Sequence, residues 1–145
     1  MTYLIDTNIF LRVLVKENEV SFGECKRVLE LIKNGQLQAV VPSLVICEIV
    51  WTLSSLYKFP KQRVVEAVRS LMYLNGLKVI FDYDQLLALE LFEIHNTKYI
   101  DCCLAAVPGV QSKEWTVLSY DLDFDKLKVG RQAPKEVIES SKFTS

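Results

Sequence analysis

Four acidic side chains, Asp6, Glu48, Asp101 and Asp121, stand where the surrounding sequence leaves a polar group in need of an explanation. Glu48 is the sharpest case. On a helix its neighbours three and four positions away are Leu44, Val45, Trp51 and Thr52, and no Lys or Arg lies between Pro42 and Lys58. A glutamate on such a face is costly to bury unless it is paired, protonated or bound to a cation; a salt bridge to a distant residue is the structural alternative. Asp6, Asp101 and Asp121 each have an ordinary reading when taken alone: helix caps for the first two, a loop residue for the third. Sharing one pocket, four carboxylates would repel one another, raise one another's pKa values, and bind protons or divalent cations. Hard oxygen ligands select Mg2+ or Mn2+. A lone histidine, His95, and four cysteines without a Cys-x-x-Cys pair (Cys25, Cys47, Cys102, Cys103) disfavour zinc and a disulfide framework. Carboxylate-held magnesium suits phosphate-ester chemistry, with one ion or with two that clamp the attacking and leaving oxygens.

The elements that must position these acids alternate between strand and helix. Tyr3–Ile5 reads as a short apolar strand ending at Asp6, with helical character from Thr7 to Val15. Residues 22–33 place Phe22, Cys25, Val28, Leu29 and Ile32 on one helical face, closed by Asn34-Gly35. Leu37–Val41 reads as a strand stopped by Pro42, with Ser43 as N-cap of an apolar helix to about Tyr57, inside which Cys47 packs as a small hydrophobe. Pro60 opens a helix with Val64, Val65, Val68, Leu71 and Met72 inward, ended by Asn75-Gly76. Strands at Leu77–Phe81 and Thr116–Ser119, a further one beginning near Lys128-Val129, and helices from Asp84 to about Ile94 and from near Asp101 complete the pattern. This alternation predicts an α/β sandwich on a mainly parallel sheet, with ligands beyond the carboxyl ends of the strands.

Composition bounds the rest. With 145 residues, half of them apolar, and only five Gly and four Pro, the chain reads as one domain over residues 1–145 and not as a disordered or low-complexity segment. Seventeen basic against eighteen acidic residues leave a net charge of −1, so any grip on nucleic acid must be local or metal-assisted. The amino-terminal residues lack the pattern of a signal peptide, and the longest apolar stretch, 40–56, is too short and too polar to span a bilayer. A cytoplasmic protein with no membrane partner is expected. No Gly-rich phosphate loop is present, which excludes the common nucleotide-cofactor enzymes.

Leu4-Ile5-Asp6-Thr7-Asn8 resembles the opening motif of PIN-domain ribonucleases. Ser43 to Leu53 with Glu48 resembles their second motif, Tyr99-Ile100-Asp101-Cys102-Cys103-Leu104-Ala105-Ala106 the third, and Ser119-Tyr120-Asp121-Leu122-Asp123-Phe124 the fourth. Size and composition are similar to those of VapC-type toxins of prokaryotic toxin–antitoxin pairs. The resemblance implies a PIN-like three-layer α/β/α sandwich and an Mg2+- or Mn2+-dependent endoribonuclease, with a cognate antitoxin and a homodimeric state. It implies that Asp6, Glu48, Asp101 and Asp121 hold the metal and carry catalysis, with Asp123 as a further ligand. Thr7, Asn8 and Ser119 would support them. The general base would be a carboxylate or metal-activated water, in keeping with the scarcity of histidine. Two positions depart from the pattern: Ser119 stands where many members carry Thr, and Pro108-Gly109 interrupts a helix that members often continue.

Other residues have plainer readings. Asp125 is taken as solvated and His95 as a surface or helix-end residue. Lys58, Lys61, Arg63 and Arg69, and likewise Arg12, Lys126, Lys128 and Arg131, form either solvated faces or a phosphate-contacting rim. Trp51, Tyr57, Phe59 and Met72 are assigned to the core or a dimer interface rather than to base stacking. Three other functions compete with the toxin reading: a nuclease of RNA processing or decay without an antitoxin, a receiver-like Mg2+-binding signalling domain, and a metal-free RNA-binding module. The receiver scheme wants paired acids after the first strand, where only Asp6 stands, and it gives Glu48 no role.

Overall fold

A computed structural model describes residues 1–143. Its centre is a five-stranded sheet made of β1 (Thr2–Ile5), β2 (Gln38–Pro42), β3 (Leu77–Ile80), β4 (Trp115–Leu118) and β5 (Arg131–Gln132). The strands lie in the order β3-β2-β1-β4-β5, and every neighbouring pair is parallel. Leu4 stands level with Val40 on one side and Val117 on the other. These central strands are almost wholly buried, as expected of a parallel sheet covered by helices on both faces.

From β1 the chain winds outward to β2 and β3, then returns to the other side of β1 for β4 and β5. The order of winding therefore reverses between β1 and β4, and a crevice opens there at the carboxyl ends of the strands. Helix α1 (Thr7–Val15) leaves from β1, and α2 (Glu19–Lys33) packs against it and leads to β2. Helix α3 (Ser43–Trp51) follows β2 without a break, because Pro42 takes the cap position with extended backbone. Ser43 is thus the first helical residue rather than the N-cap. The apolar run continues past Trp51 as a π-helical segment, Thr52–Leu56, in which the Tyr57 N–H donates to the Thr52 carbonyl at 3.1 Å. Helix α4 (Lys61–Met72) starts after Pro60 as its sequence predicts. It buries Val64 and Leu71, whereas Val65 and Met72, expected inside, are substantially exposed.

Gly76 enters β3 at φ +83°, and a Cβ there would overlap the Ile32 carbonyl, so the turn needs glycine. Asp84 caps α5 (Gln85–Ile94) by accepting from the Leu87 N–H at 3.0 Å. Helix α6 (Tyr99–Ala105) then ends, and Pro108 opens a separate short helix, α7 (Pro108–Gln111). The proline interrupts the helix as expected and restarts it within three residues. Helices α8 (Asp123–Lys126) and α9 (Pro134–Ser141) flank β5. Strands β4 and β5 each differ from their sequence-predicted bounds: β4 ends before Ser119, and β5 begins at Arg131, after Lys128 turns left-handed at φ 59°. The core gathers Leu4, Ile5, Ile9, Phe10, Ile32, Val41, Ile49, Leu104, Leu118 and Phe124 about the sheet. Among the described residues no helix is long and apolar enough to cross a membrane.

Candidate active site

Asp6 sits at the end of β1, in the crevice. Its extended backbone makes it the N-cap of α1, and its Oδ1 accepts from the Thr7 N–H at 2.7 Å. Its Oδ2 accepts from the hydroxyl of Ser119, the residue after β4, at 2.6 Å. The capping role and the site role therefore fall on the same side chain. Burial pushes the Asp6 carboxyl pKa up; the bonds from Ser119 and Thr7 oppose this, and the charges of Glu48 and Asp121 add to it.

Asp101 lies in the first turn of α6, three residues after Lys98, which takes the cap position expected of Asp101. It is 3 % exposed, and its Oδ2 has no hydrogen-bond partner among the described residues. Burial first, then the charges of Asp6, Asp121 and Asp123, raise its pKa to about 7, against the pull of the Lys98 ammonium. One carboxylate oxygen from each of Asp101, Asp121 and Asp123 lies within 4.8 Å of the other two. The loop after β4 makes this approach by local bonds: the Asp121 N–H donates to the Ser119 hydroxyl at 2.9 Å, and the Asp123 N–H to Asp121 Oδ1 at 2.9 Å. Lys126 pairs with Asp123 Oδ1 at 3.1 Å, one turn along α8.

The structure thus brings Asp123 into the tightest group and leaves Asp6 and Glu48 as flanking charges. Glu48 is half-buried on α3, close enough for its charge to act on Asp6. Thr7 is buried with a hydroxyl that has no partner among the described residues, and Ser119 is fully buried between two acids. Asn8 is exposed and faces a small pocket with Arg12 instead of the acids. An acceptor-only set of hard oxygens, one of them buried without a donor among the described residues, fits a divalent cation such as Mg2+ or Mn2+.

Several expectations are corrected. Asp125 is not merely solvated: Arg131 holds it through two nitrogens at 3.0 and 3.1 Å, and the same guanidinium donates to the Ser119 carbonyl at 3.1 Å. Arg131 is therefore turned toward the loop that carries the acids, not out toward a phosphate. Cys47 is exposed rather than packed. Of the four residues read as core or dimer interface, Tyr57 and Phe59 pack against the core and Trp51 and Met72 are exposed, while Arg63 stacks on Phe59 at 3.9 Å. Lys61 and Arg69 border an apolar groove of about 630 Å³ between α3 and α4 that contains none of the acids. Two contributors were missed in the sequence. Lys98 had a signal, a cation three residues before Asp101 at helical spacing. Glu24, which accepts from the Tyr120 hydroxyl at 2.7 Å and so ties the acidic loop to α2, had none.

The profile described as PIN domain matches residues 3–130. No curated protein matches the chain. Among solved structures, the fold is similar to that of VapBC2 from Rickettsia felis, described as bound to a DNA fragment from the promoter, with a TM-score of 0.65 and 18 % identity over 92 % of this chain and 98 % of that one. It is similar also to Mycobacterium tuberculosis VapC20, described as a Sarcin-Ricin loop cleaving toxin, with a TM-score of 0.64 and 15 % identity over 88 % of this chain and 95 % of that one.

Proposed function

The chain belongs to the PIN-domain family, and from that premise we propose that it is a metal-dependent endoribonuclease acting as the toxin of a toxin–antitoxin pair. The observation that carries the reading is the meeting of Asp101, Asp121 and Asp123 beside a buried Asp6, with Asp101 Oδ2 left without a donor among the described residues. Membership in the family sets aside the receiver-like alternative. The likeness to a toxin described as cutting the sarcin-ricin loop supports RNA as substrate, and the VapBC likeness supports an antitoxin partner.

Asp101, Asp121 and Asp123 would hold Mg2+ or Mn2+, with Asp6 and Glu48 completing the acidic rim directly or through water. Such an ion, when bound, stabilises charge on the phosphate and lowers the pKa of water. Ser119 and the Thr7 N–H keep the Asp6 carboxylate in one orientation, and Ser119 also fixes the backbone that carries Asp121. One carboxylate of the set accepts the proton of the attacking water. A homodimer is part of the proposal, supported by the exposed apolar residues Leu86, Leu89, Phe92 and Ile94 on α5.

The test is cleavage of RNA in Mg2+, Mn2+ or EDTA by the wild type, Asp6→Asn and Asp101→Asn. Metal-dependent cleavage lost in both folded variants is expected. Equal cleavage in EDTA by a nuclease-free preparation overturns the metal reading.

A further inference from the structure

Beside the acids lies a second, polar pocket of about 120 Å³, lined by Asn8, Leu11, Arg12, Val15, Glu17 and Tyr57. It adjoins the candidate active site at two points. Asn8 follows Asp6 by two residues at the start of α1, and the Arg12 guanidinium lies 5.8 Å from the centre of the Tyr120 ring, between Ser119 and Asp121 in the chain. Arg12 forms no ion pair among the described residues, although Glu17 borders the same pocket. Asn8 and Arg12, one helical turn apart, share the face of α1 that borders the pocket. The lining residues Glu17 and Tyr57 each adjoin a lysine in the left-handed conformation: Lys16 at φ 49°, before Glu17, and Lys58 at φ 55°, after Tyr57. Burial raises the Tyr57 hydroxyl pKa, the Glu17 charge adds to this and Arg12 opposes it, so the three polar heads interact across the pocket.

We propose that this pocket receives a guanine base of the RNA, next to the phosphodiester held at the acids. A free guanidinium fork matches two acceptors side by side, and among the bases guanine offers that edge in O6 and N7. The Glu17 carboxylate accepts from N1–H and the 2-amino group, donors that guanine presents together. The Tyr57 ring supplies a face for stacking, with Leu11 and Val15 as the apolar floor. Adenine would set its amino group against the Arg12 fork, and a pyrimidine would fill less of the space.

The inference rests on the nuclease reading for RNA as the molecule that enters, yet binding can be measured without cleavage. GMP, AMP, CMP and UMP are titrated separately into the 15N-labelled full chain in EDTA, following amide and arginine side-chain resonances. All four share the phosphate, so differences report the base. GMP is expected to shift Asn8, Arg12 and Tyr57 and to bind about ten-fold more tightly than the other three. Arg12→Lys keeps the charge, loses the fork and should remove that preference; Glu17→Gln, at an exposed position, should weaken GMP about five-fold. Equal affinity for the four nucleotides, shifts confined to other residues, or an undiminished preference in Arg12→Lys each overturn the proposal. A chain that binds GMP here but cuts no RNA in Mg2+ or Mn2+ overturns the nuclease reading and leaves the guanine pocket standing.

Discussion

Ser119 and Asp6, 113 positions apart, are joined by a 2.6 Å hydrogen bond from the serine hydroxyl to Asp6 Oδ2, both side chains buried. The Ser119 hydroxyl oxygen in turn accepts from the Asp121 N–H, so one hydroxyl serves the ends of both central strands. Ser119→Ala leaves a buried carboxylate oxygen and a backbone donor unpaired and should lower stability by about 1–3 kcal/mol. Part of the loss is relieved because Asp6, without its donor, takes up a proton more readily. Ser119→Thr keeps the hydroxyl and should lose less. Urea unfolding of the three proteins in EDTA measures this, and an alanine variant as stable as the wild type would show that the bond contributes nothing.

Asp101 gives the metal-free protein an unusual pH dependence. Its folded pKa, about 7, lies above the ordinary carboxylate range, so between roughly pH 4 and 7 the native state holds a proton that the unfolded chain has released. The stabilisation is fully present below the unfolded pKa and is lost as pH rises through 7. Asp6, also shifted upward, acts in the same direction. The loss from Asp101 amounts to at most about 4 kcal/mol. Asp101→Asn should flatten much of this slope and exceed the wild type in stability at pH 8. Urea midpoints in EDTA at pH 5 and pH 8 test it; a wild type more stable at pH 8 contradicts it.

The strands and the site were legible to different depths. Asp6 could be placed because a strand-ending aspartate before a helix is a local signal, and the cap is seen. The same logic misplaced the cap of α6, where Lys98 holds the position and Asp101 moves into the first turn, because backbone entry angle and not side-chain preference decides that boundary. Glu48 was found from its apolar neighbours, but its half-exposed state depends on how α3 meets the crevice, which no local pattern carries. Arg131 read as a free cation since its partners, Asp125 and the Ser119 carbonyl, are joined to it only by the turn after α8. The π-helical turn at Thr52–Leu56 leaves no periodic trace in five residues.

Gly109 shows what the interruption at Pro108 accomplishes. A Cβ at this position would overlap the ring of Trp115, so the short α7 sits against β4 at a distance that glycine alone permits. Gly109→Ala should force the ring or the helix aside and lower stability by about 1–3 kcal/mol. Since α7 carries none of the acids, manganese affinity of the folded variant should stay close to that of the wild type. Thermal unfolding with and without Mn2+ separates the two effects. A midpoint unchanged by the substitution would mean that the contact with Trp115 relaxes without loss.

Metal binding and the proton on Asp101 should be exclusive. Below pH 7 an incoming ion must displace that proton, because the carboxyl is held up by burial and by the neighbouring acids. Mn2+ affinity should therefore rise about ten-fold per pH unit up to pH 7 and then level, with close to one proton released per ion at pH 6. At one hundred times its dissociation constant the ion would add about 2.7 kcal/mol of stability. Lys98 supplies the control, since its charge lowers the Asp101 pKa without making an ion pair among the described residues. Lys98→Met should move the break in the profile to higher pH, whereas Asp123→Asn should weaken binding at every pH. Calorimetric titration with Mn2+ in two buffers of different ionisation enthalpy reads affinity and proton release together. A pH-independent affinity between 5.5 and 7, or a Lys98→Met profile that does not move, would separate Asp101 from the metal site.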